Sequence, residues 1–315
     1  MSRILRNPSR AACLVLLCVA SVTHAQHKPP LPGNYPNKPV RMLVATSPGS
    51  GTDIIARYMA QRLTERLGQQ VIVDNRPGAG GAIAWEILSH ATPDGYTISV
   101  QSVSGMTAWM TQRKALFNVR AFTPVVHLNS QPYLVVVNPS LPVNSIKELI
   151  AHAKSKPGAL NYGSAGIGST AHLGMEPGSS LGILDLMAGR IEVQINNIIA
   201  ASRLVKQGRL KALAVTSLKR VHILPDLPTV SEGGLPGYEL NNMYGIMGPA
   251  RMPPAIVLAL NREGSEIMNA PETRNKLAAD GSVATAPNSP PEFGDKLTRE
   301  AAKWGKIILM AGPKI

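Results

Sequence analysis

Two runs of small residues carry the chemistry this chain can offer. The first is Thr46-Ser47-Pro48-Gly49-Ser50-Gly51-Thr52-Asp53, and the second is Gly163-Ser164-Ala165-Gly166-Ile167-Gly168-Ser169-Thr170. Each stands between a predicted strand and a predicted helix. A glycine-rich turn that opens a helix leaves backbone N–H groups without intrahelical partners and presents the positive end of the helix dipole, which suits an anion. Two such turns more than a hundred residues apart imply two lobes, each offering one anion-binding helix end. A small acid held by its carboxylates in a cleft fits this arrangement. Asp53 has two readings: a first-turn acid well placed on the helix dipole, or a group that recognises an amine or hydroxyl of the ligand.

Other chemistries find less support. A hydrolase would use Ser164 or Ser169 as nucleophile, His172 as base and Asp53 as orienter, yet no Gly-x-Ser-x-Gly elbow surrounds either serine. An exported serine hydrolase built on Ser169 and His172 stands as an alternative. His27, His90, His127, His152 and His222 are scattered without metal-ligand spacing. Gly166-x-Gly168-x-x-Ala171 matches a loose dinucleotide fingerprint, but Gly49-x-Gly51 lacks the third glycine and no Gly-Lys-Ser/Thr phosphate loop occurs. No cofactor and no metal is expected. Trp85, Trp109 and Trp304 read as core or interface residues.

The elements that must position the turns are legible around them. Val40–Ala45 is a short apolar strand, and Asp53–Leu67 has apolar residues at helical spacing (Ile54, Ile55, Met59, Leu63, Leu67), with Gly68 as a stop. Val71-Ile72-Val73 is the next strand. A third glycine-rich turn, Arg76-Pro77-Gly78-Ala79-Gly80-Gly81, leads into a helix over Ala82–His90, and Tyr96–Val100 is a third strand. This alternation, with apolar β-branched strands, predicts an α/β fold with a parallel sheet flanked by helices. Further on, Ser145-Ile146-Lys147-Glu148 is a capping box for a helix to about Ser155. Leu160–Gly163 and Leu210–Thr216 read as strands. Pro254–Asn269, Pro271–Ala279 and Pro290–Leu309 read as helices.

Composition sets the setting. Arg3, Arg6 and Arg10 precede an apolar run from Ala11 to Val22, and Thr23-His24-Ala25 ends in a small residue. That order predicts a signal peptide over residues 1–25, cleaved after Ala25. The run is too short for a membrane span, and Leu17 before Cys18 is bulky where lipoprotein processing wants a small residue. Cys13 and Cys18 both lie in this leader, so the mature chain has no thiol, and its core alone must stabilise it. Apolar content of 44% is enough for that. No later stretch is apolar enough to span a bilayer, so a soluble mature protein is expected. Removing the three leader arginines takes the formal charge from +13 to +10. A basic surface is compatible with an acidic ligand. Nucleic acid fits poorly, because aromatic content is 4% and no dense Lys/Arg run occurs. Residues 26–38, rich in proline, form an extended lead-in.

A series of ordered motifs then identifies a family. Tyr35-Pro36-x-Lys38-Pro39-Val40-Arg41, Pro48-Gly49-x-Gly51-Thr52-Asp53, Asp74-Asn75-Arg76-Pro77-Gly78-Ala79-Gly80-Gly81 and Pro93-Asp94-Gly95-Tyr96-Thr97 come first. Tyr162-Gly163-Ser164-Ala165-Gly166-x-Gly168-Ser169, Leu210-Lys211-Ala212-Leu213-Ala214-Val215-Thr216 and Leu224-Pro225-Asp226-x-Pro228-Thr229 follow. From about Tyr35 to the C-terminus the chain resembles the Bug family, the substrate-binding proteins of tripartite tricarboxylate transporters. The resemblance implies a two-lobe periplasmic binding protein of type II, joined by crossing strands, with a mixed or parallel sheet in each lobe. Lobe one would take residues 39–128 and 244–315, and lobe two residues 129–243. Its ligand would be a small carboxylate: a di- or tricarboxylate, an acidic amino acid or an aromatic acid. The ligand-binding residues it implies are Ser47, Gly49, Ser50, Gly51, Thr52 and Asp53, with Ser164, Ala165, Gly168 and Ser169. The implied partner is a membrane permease or a sensor receptor, and the protein itself would be a monomer.

The chain departs from the family after the second turn. His172-Leu173 is followed by Gly174-Met175-Glu176-Pro177-Gly178-Ser179-Ser180, where members continue through a full helix and a further strand. Asp185-Leu186-Met187-Ala188-Gly189 therefore arrives early, and lobe two is expected to be shortened near residues 174–184. Pro177-Gly178 would stop a helix almost at its start. A degenerate relative without a ligand is the alternative this departure raises. Ala45-Thr46-Ser47 also replaces a Pro-Phe-Ala-like run, and Ser50 stands where glycine is commoner.

Overall fold

The computed structural model describes residues 32–78, 81–113, 117–163, 168–171 and 182–311. Strand β1 (Val40–Val44) lies between β2 (Val71–Asn75) and β3 (Thr97–Ser102), and both neighbours run parallel to it. Parallel strands need crossovers, and helix α1 (Gly51–Leu67) and helix α2 (Ala82–Ser89) supply them. The α1 N-cap is Ser50, whose side chain accepts from Asp53 N, and the helix ends at Gly68 in the left-handed region. Ile55, Met59, Leu63 and Leu67 are buried as the spacing predicts, but Ile54 is 39% exposed. Consecutive helical residues point about 100° apart, so Ile54 and Ile55 cannot share the core face.

The parallel reading holds for these three strands but not for the strands that follow them directly. After β3 come helix α3 (Val103–Arg113), which the sequence reading did not separate, a short 3-10 turn, and the sixteen-residue strand β4 (Phe122–Val137). The first part of β4 pairs antiparallel with β8 (Asn241–Pro249), which itself pairs antiparallel with β3. From Tyr133 onward β4 enters a second sheet, antiparallel to β6 (Val193–Asn197) and β7 (Lys211–Val215). Strand β5 (Tyr162–Gly163) joins β6 in parallel, and β9 (Val283–Ala284) pairs β4 at Asn129 and Ser130. The strand path is β2-β1-β3-β8-β4-β6-β5, with β7 and β9 branching from β4. Both sheets are mixed: β3 and β4 add antiparallel pairs with β8 to the first, and β5 adds a parallel pair to the second, while β4 runs through both.

Helix α4 (Ile146–Ser155) starts at the predicted box: Ser145 Oγ accepts from Glu148 N, and Glu148 Oε2 accepts from Asn144 N. Helix α5 (Gly182–Met187) and helix α6 (Ile198–Lys206) flank the second sheet. Leu186 of α5 is fully buried with Leu134, Val136, Ile198 and Val215. The strand β4 residues Val135 and Val137 face the other way, into a core that runs without a break to Trp85, Met106 and Trp304 beside the first sheet. Most of the segment expected to be shortened, residues 174–181, lies outside the described residues, as do the leader and most of the lead-in. The last three helices match their predicted positions: α7 (Pro254–Asn269), α8 (Pro271–Ala279) and α9 (Pro290–Ala311). Helix α7 is tied to α1 by Arg66 Nε donating to the fully buried Glu263 at 2.6 Å. Among the described residues, no helix is long and apolar enough to cross a membrane.

Candidate functional site

The first turn leaves the end of β1 and enters α1 with its backbone fixed from inside. Asp53, 2% exposed, accepts from Gly49 N at 2.9 Å, from Arg57 Nε at 2.9 Å and from Asn75 Nδ2 at 2.8 Å. Burial pushes its carboxyl up, but the bonds from Arg57, Gly49 and Asn75 outweigh that and hold it below the usual carboxylate range. Both carboxylate oxygens are thereby taken up by the turn and its neighbours. Ser47 and Gly49 are exposed, and Ser50 Oγ meets Thr46 Oγ1 at 2.5 Å. The Gly51 and Thr52 amides occupy the first two helical positions, where no carbonyl within the helix can receive them.

Gly51 is where the turn meets the other lobe. A Cβ at this position would run into Asn197 Nδ2 and stand 3.0 Å from Tyr244 Oη. Asn197 caps α6 by accepting from Ile199 N at 2.9 Å, and its amide donates to Tyr244 Oη at 3.1 Å. Gln131 Nε2 also donates to Tyr244 Oη, at 2.5 Å. Burial raises the Tyr244 hydroxyl pKa, so it stays neutral and accepts from both amides.

The second turn is described at Gly168–Ala171; Ser164 and Ala165 lie outside the described residues. Gly168 has φ 74°, and a Cβ there would lie 2.7 Å from Thr111 Oγ1 and 3.0 Å from the Ala108 backbone, both on α3. Ser169 is buried, and Thr170 N donates to Ser104 Oγ at 3.3 Å. Thr170 Oγ1 and Tyr133 Oη meet at 2.8 Å. The Tyr133 hydroxyl is pushed up to about 12 by burial, against hydrogen bonds with Thr170 and Ser104 that pull it down.

The second turn meets the N-terminus of α3, which the sequence reading missed. Ser104 N donates to Asn242 Oδ1 at 3.3 Å, and Gly105 N donates to Ser102 Oγ at 3.1 Å. The third glycine-rich turn closes on the same place: a Cβ on Gly81 would stand 3.1 Å from Ala45 Cβ and 4.0 Å from Gly105 Cα. All three helices of the parallel unit thus start at one edge of the sheet, the carboxyl ends of its strands, where open α/β sheets bind ligands. The run Gln101-Ser102-Val103-Ser104-Gly105, small polar residues after a strand, was a signal for this third helix end. Asn197 was visible as an N-cap before Ile198-Ile199. Tyr133, Asn242 and Tyr244 gave no local signal, because their role depends on strands that pair across the chain. The alternative nucleophile Ser169 is buried, and its proposed base His172 lies outside the described residues.

Known proteins agree with this architecture. The family described as "Tripartite tricarboxylate transporter family receptor" matches residues 55–312. A Pseudomonas sp. protein encoded in the tcbD–tcbE intergenic region is 32% identical, over 97% of this chain and 95% of its own. BugT of Bordetella pertussis is 30% identical, over 89% and 91%. Among solved structures, R. palustris Rpa4515 with adipate has TM-score 0.80 and 31% identity, covering 88% of this chain and 98% of that one. MatC from Rhodopseudomonas palustris with bound malate has TM-score 0.79 and 26% identity, covering 87% and 100%. The family and these neighbours are solute-binding proteins and not enzymes, so the hydrolase alternative falls away. The chain belongs to the tripartite tricarboxylate transporter receptor family, as a two-lobe solute-binding protein of the Bug type.

Proposed function

We infer that this protein is exported to the periplasm and captures a small carboxylate between its two lobes without chemistry. The observation that carries the reading is the first turn. It presents the amides of Gly51 and Thr52 at a helix N-terminus that Asp53 holds rigid, directly against Asn197 and Tyr244 at the lobe junction. A carboxylate there gains two backbone donors and the helix dipole. The hydroxyls of Ser47 and Ser50 lie on the same turn. From the second turn, Ser164, Ala165, Gly168 and Ser169 would complete the grip as α3 and lobe two close. Asp53 serves by fixing the turn, since its oxygens are already bonded.

The adipate-bound and malate-bound neighbours support a di- or tricarboxylate over other acids. The Arg-rich start, apolar run and Ala25 support cleavage of a leader and a periplasmic site of action. A monomer with lobe boundaries inside β4 and β8 would hand the closed form to a tripartite tricarboxylate-type permease or to a sensor. The test is thermal unfolding of the chain from Gln26 onward, alone and with a panel of carboxylates. A ligand at a hundred times its dissociation constant adds about 2.7 kcal/mol, which raises the melting temperature by several degrees. A shift with one acid and not with matched amides supports the reading. A cooperative transition that no acid moves would sink it and favour the degenerate relative.

A further inference from the structure

Behind the ligand-side turns, two buried polar groups line one cavity with no hydrogen-bond partner among the described residues. Trp85 Nε1 on α2 and Gln101 Oε1 on β3 make no hydrogen bond among the described residues, and their residues are 1% and 3% exposed. Both line a small cavity with Ser102, Met106, Met247 and Phe293. The orientation of the Gln101 amide is fixed by chemistry. Its Nε2 donates to Ser99 Oγ at 2.8 Å, and Ser99 must accept because its own proton goes to Leu43 O at 2.9 Å. The end that faces the cavity is therefore an acceptor. The indole N–H is a donor only. A donor and an acceptor, each nine-tenths or more buried, thus converge on one space.

A third group joins them. The position that a Cβ on Gly105 would occupy lies 3.6 Å from Trp85 Nε1, 3.6 Å from Gln101 Oε1 and 3.6 Å from Ser102 Oγ. Ser102 Oγ already accepts from Gly105 N, so its own proton is available to donate. We propose that one internal water is bound in the cavity beside this point, accepting from the Trp85 indole and donating to Gln101 Oε1, with Ser102 Oγ as its third partner. Buried waters make about three such bonds to groups that are otherwise unsatisfied. The water ties α2 to β3 and, through the Gly105 N bond to Ser102, braces the start of α3, so it positions two of the three helix ends at the cleft.

Gly105 provides the test. Alanine fits there, since no atom comes nearer than 3.6 Å, and its methyl group crowds the space between the three polar atoms where the water binds. Helix propensity alone predicts that Gly105→Ala raises the melting temperature. The bound water predicts a fall of a few degrees, because the indole N–H and the amide oxygen lose their partner. In a Trp85→Phe, Gln101→Met background no polar group is left stranded, and the same change becomes neutral or stabilising. A rise in the natural background, or an equal fall in both, overturns the proposal. Should the double background fail to fold, a high-resolution crystal structure of the unmutated protein decides. A solvent oxygen about 3.0 Å from Trp85 Nε1 and Gln101 Oε1 supports it. A direct indole-to-amide bond, or no oxygen there, overturns it.

Discussion

At the scale of single residues, the lobe junction turns on glycines whose missing side chains make room for the partner lobe. Gly51 and Gly168 illustrate two different constraints. Gly51 has ordinary helical backbone, so alanine costs it no strain, but the new methyl group would displace Asn197 from Tyr244. Gly51→Ala is expected to weaken carboxylate binding at least tenfold and to lower the melting temperature by a few degrees through the lost Asn197–Tyr244 bond, as titration calorimetry beside thermal unfolding would read. Binding retained at natural strength would remove Gly51 from the site. Gly168 sits in the left-handed region and abuts α3, so Gly168→Ala costs about 1–2 kcal/mol in backbone strain before its contacts are counted. It should lower both stability and affinity, and a variant with unchanged melting temperature would contradict that contact. Asp53 is a contrasting case. Two roles are open to it, on the helix dipole and toward the ligand, and its three protein donors support a part in holding the turn.

At the scale of elements, legibility followed distance along the chain. Helix α1, its cap Ser50 and its stop Gly68 were readable because capping and apolar spacing are local. The capping box at Ser145 and the proline starts of α7, α8 and α9 were readable for the same reason. Strands β4, β6 and β8 were not, since their pairing is set by partners far away in sequence and β4 changes sheets midway. A nearly continuous buried run such as Leu134–Val137 has no alternation to betray its two faces. The candidate site followed the same rule: the turn that opens α1 was legible, whereas Tyr244, which joins β8 to α6 through Asn197, was not. Tyr244→Phe leaves the amides of Gln131 and Asn197 without their acceptor, and an unsatisfied buried group costs about 1–3 kcal/mol. The urea midpoint should fall accordingly, and ligand affinity should fall with it. A midpoint that does not move would mean that this hydroxyl does not brace the junction.

At the scale of the whole molecule, a core cluster shared by both sheets and the crossing strand β4 make the lobes interdependent. His127 lies on β4 where α9 closes over it, stacked on Phe293 with ring centroids 5.7 Å apart. Its Nε2 faces Ser130 and Thr285 at 3.2 Å, and Lys296 Nζ stands 3.5 Å from Nδ1. Burial, and then the Lys296 charge, push its pKa from 6.5 down to about 3. The folded state therefore keeps His127 neutral where the unfolded state takes up a proton. Its contribution is full above pH 6.5 and is lost as pH falls toward 3, by up to about 1.4 kcal/mol per pH unit. Urea unfolding at pH 7 and pH 5 should show this loss, and His127→Phe should flatten it; an equal slope in the variant would assign the dependence elsewhere. The strand order has a kinetic meaning as well. Strand β8 stands between β3 and β4, so the first sheet has an open slot until Asn241–Pro249 arrives, after all of lobe two. Lobe one cannot finish first, though its strands come first: a chain threaded from its N-terminus must hold β3 and β4 apart until β8 enters between them.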